Sequence, residues 1–325
     1  MAFLQRDTRP PTAVGLEEYK SLSPTARAEH DRLRMSFLFN DIIVPTDPLT
    51  TAVRYVTEDL EPVNRNNPDR WGLAISGEGG MGKTTIADAV MRRSFKIYEQ
   101  DHPGAAYPES LPVAYVKIPS SATPKRMMQA FADFYGITMT EREPTESIVK
   151  RVLAHMADAD TRLVVIDELH RLPPGLHRGL AEPKDLLREL LDDVVATFIY
   201  AGVDLPEMGI FDGPTGRQIA SRFSLLEVNR LPRHATDEEE TWRGVIEYIE
   251  KKLPLFAQPA GSLVDLDEFL YQQTLGSLGT LMRMICGAAK TLIARGNPDS
   301  EVITEDILRR RTRDMQATGM ITNIP

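Results

Sequence analysis

Five short apolar stretches punctuate the middle of the chain, over residues 71–76, 112–118, 162–167, 195–201 and 223–228. Each is followed by a polar, glycine or proline position. Near-continuous apolar runs of this length suit strands buried on both faces, as in a parallel sheet. Between them the period changes. Ile148, Val149, Val152, Leu153 and Met156 fall on one face of a helix, and Leu186, Leu187, Leu190 and Leu191 repeat that arrangement. Alternation of this kind predicts an α/β fold: a three-layer core around a parallel five-stranded sheet.

The flanks differ from this core. Residues 1–50 read as an N-terminal arm, turn-rich at Pro10-Pro11 and carrying a polar helix over 24–37 opened by Ser23-Pro24. Residues 51–235 read as the core, with a short helix from Thr50 to Leu60 at its start. After Pro232 the pattern becomes all-helical. Thr236-Asp237-Glu238-Glu239 reads as a capping box, followed by Trp242, Val245, Ile246 and Ile249 on one face. Asp265 with Glu268 repeats the signal, Gly276 and Gly279 flank a third helix start, and Thr304 opens a fourth. The expectation is a helical lid over 236–316 and a frayed tail over 317–325. Both tryptophans, Trp71 and Trp242, are expected in the core.

Charge narrows the partners. The chain has 38 Lys+Arg and 47 Asp+Glu, and 38 − 47 gives −9. An acidic monomer does not attract nucleic acid with its whole surface, although a local basic stripe still can. The single cysteine, Cys286, excludes an intrachain disulfide and a cysteine-based zinc site. No apolar run approaches membrane-spanning length. The expected location is the cytoplasm, with no membrane partner.

The chemistry lies at two strand ends. Gly77-Glu78-Gly79-Gly80-Met81-Gly82-Lys83-Thr84 fits G-x-x-x-x-G-K-[ST], with an apolar strand before it and a helical run from Thr85 to Tyr98 after it. Glycines let the backbone turn successive N–H groups toward phosphate oxygens, and the helix adds its positive end. Lys83 would bridge the outer phosphates of ATP, and the Thr84 hydroxyl would be a Mg²⁺ ligand. Leu163-Val164-Val165-Ile166-Asp167-Glu168 is a buried strand ending in two carboxylates, the place where open α/β sheets put their ligands. Asp167 would hold Mg²⁺ directly or through water. Glu168 would accept the proton of the attacking water.

With these motifs the chain resembles the AAA+ ATPases, and within them the TniB/TnsC group of transposition regulators, relatives of MuB. The likeness runs over about 30–310. It rests on Asp31-Arg32-Leu33-Arg34, Val44-Pro45-Thr46, Ile166-Asp167-Glu168-Leu169-His170-Arg171-Leu172, Ile199-Tyr200-Ala201-Gly202, Gln218-Ile219-Ala220-Ser221-Arg222-Phe223 and Leu231-Pro232. The resemblance implies that Arg222 reaches a neighbouring subunit's nucleotide, with Arg217 a competing candidate. It implies that Arg283 senses the γ-phosphate from the lid. Gly202-Val203-Asp204 departs from the family, which usually reads Gly-Thr there, so Asp204 stands where a polar sensor is expected. His170 is either a relay or a structural histidine bonded to a loop carbonyl.

The resemblance also implies duplex DNA contacted without sequence preference by the loop after the second strand. Ser120, Ser121, Thr123, Lys125 and Arg126 supply backbone-tracking groups there. Its further implications are an ATP-dependent homo-oligomer, a transposase partner and a targeting adaptor. The alternatives are a helicase-loader-like or other DNA-remodelling AAA+ ATPase, a signalling NTPase switch, and a small-molecule kinase. The helical module and the Ser-Arg-Phe arginine speak against the kinase.

Overall fold

The computed structural model describes residues 11, 14–40, 42–67, 70–104, 110–120, 122–172, 183–208, 211–233 and 242–317. In chain order the helices are α1 (Leu16–Ser21), α2 (Pro24–Asn40), α3 (Asp47–Arg54), α4 (Glu61–Asn64), α5 (Lys83–Asp101), α6 (Pro124–Phe134) and α7 (Thr145–Asp158). They continue as α8 (Pro183–Asp193), α9 (Gly213–Ala220), α10 (Trp242–Lys252), α11 (Asp267–Thr274), α12 (Leu278–Ala294) and α13 (Glu305–Ala317). The strands are β1 (Gly72–Ser76), β2 (Val113–Lys117), β3 (Leu163–Asp167), β4 (Thr197–Gly202) and β5 (Phe223–Glu227), each within one of the five predicted stretches or displaced from it by a residue. The described residues fall into two compact units, one over 47–229 and a second made of the described residues up to Thr46 with those over 230–317.

The first unit is a three-layer α/β sandwich. Its sheet runs in the order β2-β3-β4-β1-β5, all parallel. Inserting β4 between β1 and β3 leaves a crevice above β4, flanked by the loops that follow β1 and β3. Two-residue alternation assigns side chains to the two faces. Leu73, Ile75, Val165, Ile199 and Ala201 pack with Ile86, Val90 and Met91 of α5. Ala74, Val164, Ile166, Phe198 and Tyr200 pack on the other side with helices α6, α7 and α8.

The helix expected from Thr50 to Leu60 is longer and of mixed type. α3 runs into a π-helical segment, Tyr55–Leu60, and then into α4. Pro62 lies at the start of α4, and the Glu61 N–H reaches back to the Val56 carbonyl. A proline cannot donate into a regular turn and crowds the preceding carbonyl, and the widened turn takes up that mismatch. At the end of this helix Asn64 is buried. Its amide donates to the Trp71 carbonyl (2.7 Å) and Thr197 Oγ1 (2.9 Å), and its oxygen accepts from the Trp71 N–H (2.8 Å). One side chain thereby fixes the entry into β1 and β4. Trp71 itself is 44% exposed, which corrects its expected core position. It stands one residue before the first strand residue, Gly72. Trp242 is fully buried, as expected.

The second unit is helical. The N-terminal segment is part of it rather than a separate arm over 1–50. Phe37, Leu38, Ile42 and Val44 pack into one core with Trp242, Leu281, Ile285 and Leu308. The segment expected to be a polar helix therefore has a buried stripe. Arg34 and Glu301 are both buried and form an ion pair, with Arg34 also donating to the Pro254 carbonyl at 2.8 Å. Ser277 caps α12 by accepting from the Thr280 N–H. The cap expected at Asp265 is absent: a 3-10 turn, Val264–Leu266, leads into α11, and Leu266 at the cap position gives no side-chain bond. The capping box over 236–239 and the tail beyond 317 lie outside the described residues.

Candidate nucleotide-binding site

The loop between β1 and α5 occupies the carboxyl end of the sheet. Gly77 leaves β1 so close to β5 that an added Cβ would lie 2.4 Å from the Val228 carbonyl oxygen. Gly82 sits immediately before α5 at φ 98°, a left-handed conformation that side chains rarely adopt. These two positions give physical reasons for glycine in the motif. Lys83 is the first residue of α5. Its Nζ donates to the Gly77 carbonyl at 2.6 Å and the Glu78 carbonyl at 2.7 Å. Burial pulls its pKa down, and the carboxylates of Asp167, Glu168, Asp204 and Glu78 oppose that pull. Met81 is buried, whereas Glu78, Gly79, Thr84 and Thr85 are exposed along the loop and first turn.

Asp167 closes β3 and is only 2% exposed. Thr84 Oγ1 donates to its Oδ2 at 3.1 Å, across the crevice from α5. Tyr115 on β2 donates to the same oxygen at 2.8 Å. The Glu168 N–H donates to Oδ1 at 2.8 Å. Burial, and then the bond to Asp167, push the Tyr115 phenol well above its ordinary pKa, so it stays a protonated donor.

Glu168 follows in a left-handed backbone conformation, φ 61° and ψ 34°. That conformation is uncommon for a residue with a side chain and is a recurrent mark of functional sites. Its carboxylate pairs with Arg171 at 2.8 Å and lies 3.5 Å from His170 Nε2. Arg171 also reaches the Ile118 carbonyl, at 3.3 Å. His170 Nδ1 accepts from the Val203 N–H at 3.3 Å, so this histidine faces a loop amide rather than the expected loop carbonyl. Asp204 begins a 3-10 turn, Leu205–Glu207, and is exposed; its charge acts on Lys83.

The remaining candidates are distributed. Arg222 stands at the turn between α9 and β5, and its Nη1 pairs with Asp192 of α8 at 2.6 Å. Arg217 is exposed on α9. Arg283 is exposed on α12, where its Nη2 donates to Thr280 Oγ1 at 3.1 Å. In the loop after β2, Thr123 Oγ1 caps α6 by accepting from the Arg126 N–H. Lys125 Nζ donates to the Glu141 carbonyl at 2.7 Å. Ser120 and Arg126 are exposed, and Ser121 lies outside the described residues.

Among the described residues, no cluster of three or more His, Cys, Asp or Glu side chains is placed to hold a metal. One buried carboxylate and one hydroxyl, Asp167 and Thr84, do not make a protein cage. They suit Mg²⁺ held jointly with nucleotide phosphates.

Sequence reasoning missed three partners in this region: Tyr115, Arg171 and Asp192. Tyr115 is the most informative. Its position on the same sheet face as Asp167 follows from the register Tyr115↔Val165 and Lys117↔Asp167, which no local motif reveals.

The strand order, the glycine loop leading into α5 and the acidic end of β3 define a P-loop fold of the AAA+ class. Solved structures agree. The chain is similar to the ORC1 protein of Aeropyrum pernix in complex with DNA, with a TM-score of 0.63, 15% identity, and 90% of this chain and 72% of that one covered. It is similar to the ORC2 protein of the same organism in ADPNP-ADP complexes (TM-score 0.59, 16% identity, 84% and 68% covered). It is also similar to Cdc6p from Pyrobaculum aerophilum (TM-score 0.58, 11% identity, 85% and 70% covered). At these identities the likeness establishes the fold. The sequence profile described as "Bacterial TniB protein" matches residues 35–233, and the chain belongs to that family. Among curated protein sequences, none matches.

Proposed function

We propose that this chain is an ATP-dependent, DNA-binding regulator of transposition. It binds ATP, oligomerises on duplex DNA, marks a target, recruits or activates a transposase, and disassembles when ATP is hydrolysed to ADP and phosphate. The observation that carries this reading is the convergence of Lys83, Thr84, Asp167 and Glu168 at one sheet end in a member of the TniB family.

Each residue has a stated task. The amides of Gly77–Thr85 cradle the phosphates. Lys83 exchanges its two carbonyl partners for phosphate oxygens. Thr84 and Asp167 hold Mg²⁺, which when bound neutralises phosphate charge. Glu168 orients a water and accepts its proton as the water oxygen bonds to the γ-phosphorus and the bond to ADP breaks. Arg222 exchanges Asp192 for the phosphate charge of a neighbouring subunit, a task suited to a guanidinium that stays charged. Arg283 is the candidate sensor of the γ-phosphate. Ser120, Ser121, Thr123, Lys125 and Arg126 follow the DNA backbone, with Thr123 and Lys125 combining that contact with their bonds to the Arg126 N–H and the Glu141 carbonyl.

A second reading is a DNA-remodelling AAA+ ATPase with a different client. It is favoured by the ORC1 protein solved with DNA and by Drosophila ORC bound to DNA, a structure to which the chain is similar at a TM-score of 0.54 and 13% identity. Electron microscopy with a slowly hydrolysed ATP analogue and duplex DNA tests the assembly step common to both. Ordered assemblies that need nucleotide and DNA together are expected. Their absence at low salt removes the basis of the proposal. Adding the cognate transposase separates the two readings, because only the first predicts that it is stimulated.

A further inference from the structure

Asp167 carries more hydrogen bonds than a strand-end carboxylate needs for solubility. Oδ2 accepts from Tyr115 at 2.8 Å and from Thr84 at 3.1 Å, and Oδ1 accepts from the Glu168 N–H at 2.8 Å. A carboxylate has about four acceptor positions, two on each oxygen. Three are therefore filled by groups on β2, α5 and the residue after β3. The fourth lies on Oδ1.

Two of the three donors belong to the motifs that defined the site, and Tyr115 does not. It comes from the neighbouring strand two residues before the position paired with Asp167. Its ring packs with the apolar face that α5 covers, so the phenol approaches Asp167 from a fixed direction. A phenol donating to a carboxylate makes a short, charge-assisted bond, stronger than one between neutral groups.

We propose that Tyr115 is a positioning residue for Asp167. By filling Oδ2 together with Thr84, it locks the rotation of the carboxylate and leaves Oδ1 as the oxygen that faces the metal–nucleotide. The choice between direct and indirect contact, open from the motif alone, then falls on one oxygen. Oδ2 accepts from two side chains, and among the described residues Oδ1 accepts only from the Glu168 N–H. This rests on the reading of the site as one that binds Mg²⁺ with ATP.

The test is Tyr115→Phe in the full chain, assayed by binding of a fluorescent, slowly hydrolysed ATP analogue across a Mg²⁺ titration. Removing a partner that orients a metal ligand weakens metal affinity by about 10–100-fold. The Mg²⁺ concentration giving half the enhancement of nucleotide binding is expected to rise by about tenfold, at the lower end of that range because Thr84 and the Glu168 N–H remain. Affinity in EDTA, which depends on Lys83 and the loop amides, is expected to stay as in wild type. A merely structural role would lower the melting temperature and weaken binding alike with and without Mg²⁺.

The same substitution made on Asp167→Asn completes the cycle. There the added shift should vanish, because the charge that Tyr115 orients is gone. An unchanged Mg²⁺ midpoint in Tyr115→Phe, or an equal shift in both backgrounds, overturns the inference. Failure of wild type to bind the analogue under any Mg²⁺ concentration would instead sink the nucleotide reading itself.

Discussion

Each of the two units buries acidic side chains, and it uses them differently. In the helical unit, Glu301 pairs with Arg34 and accepts from the Phe256 N–H at 3.0 Å. Glu250, 7% exposed, accepts from the Gly261 N–H at 2.6 Å, the Leu263 N–H at 2.8 Å and Ser262 Oγ at 3.2 Å. Both hold loops in place. In the α/β unit, Asp167 is as buried as Glu301, yet it stands beside the glycine loop with one acceptor position open, and Glu168 next to it is a quarter exposed. Burial alone therefore does not separate a structural acid from a working one. What separates them is whether the partners come from the fold's own loops or from a crevice that a ligand can enter.

The comparison predicts opposite consequences for mutation. The largest effect is expected at Glu168→Gln. Losing a proton acceptor typically costs 10²–10⁴-fold in turnover. Steady-state ATPase rates should fall by about that factor, while nucleotide binding and the melting temperature stay as in wild type. Turnover at the wild-type rate would remove Glu168 from the chemistry.

Arg34→Met should do the reverse. It leaves Glu301 buried without its counter-charge, a change that costs about 3–5 kcal/mol. Denaturant unfolding should register that loss, whereas nucleotide affinity under native conditions should hold. A stability change below about 1 kcal/mol, the range of solvent-screened pairs, would contradict a buried pair.

The smallest effect is expected at Glu61, a fourth buried acid, which receives a hydrogen bond from Ser94. Burial raises its pKa above the ordinary carboxylate value, only partly offset by Ser94 and by the charges of Arg65 and Arg162. The folded state then holds the proton to higher pH than the unfolded chain does. The contribution to stability is present below the unfolded pKa and is lost as pH rises to the folded one. Glu61→Gln should flatten that decline above the ordinary carboxylate pKa, read from unfolding free energies across pH. An unchanged slope would show that Glu61 does not set it.

The sequence was most legible where chemistry depends on backbone geometry. The glycine loop, the five strands and the acidic end of β3 each follow from local patterns, because a phosphate cradle constrains residue types at fixed spacing. The sequence was least legible where partners come from distant strands. Tyr115 and Asp192 are ordinary residues until the sheet register and the turn before β5 bring them to Asp167 and Arg222. The N-terminal segment misled for a related reason. Arg34 lies in the segment read as a polar helix, and only Glu301, far along the chain, turns it into a buried anchor. Charge-based reading was also coarse after β2, where Thr123 is a helix cap and Lys125, in the first turn of α6, is bonded to the Glu141 carbonyl.

A chain of net charge −9 gains little from single-subunit attraction to DNA. If ATP at the Lys83 site aligns subunits and their short basic segments, affinity for duplex DNA must depend on nucleotide. Fluorescence anisotropy with labelled duplex, comparing wild type and Lys83→Ala with and without a slowly hydrolysed ATP analogue, measures this directly. Wild type is expected to bind at least about tenfold tighter with the analogue, with affinity falling as salt rises, and Lys83→Ala is expected to show no nucleotide effect. Equal DNA affinity in all four conditions would contradict the account.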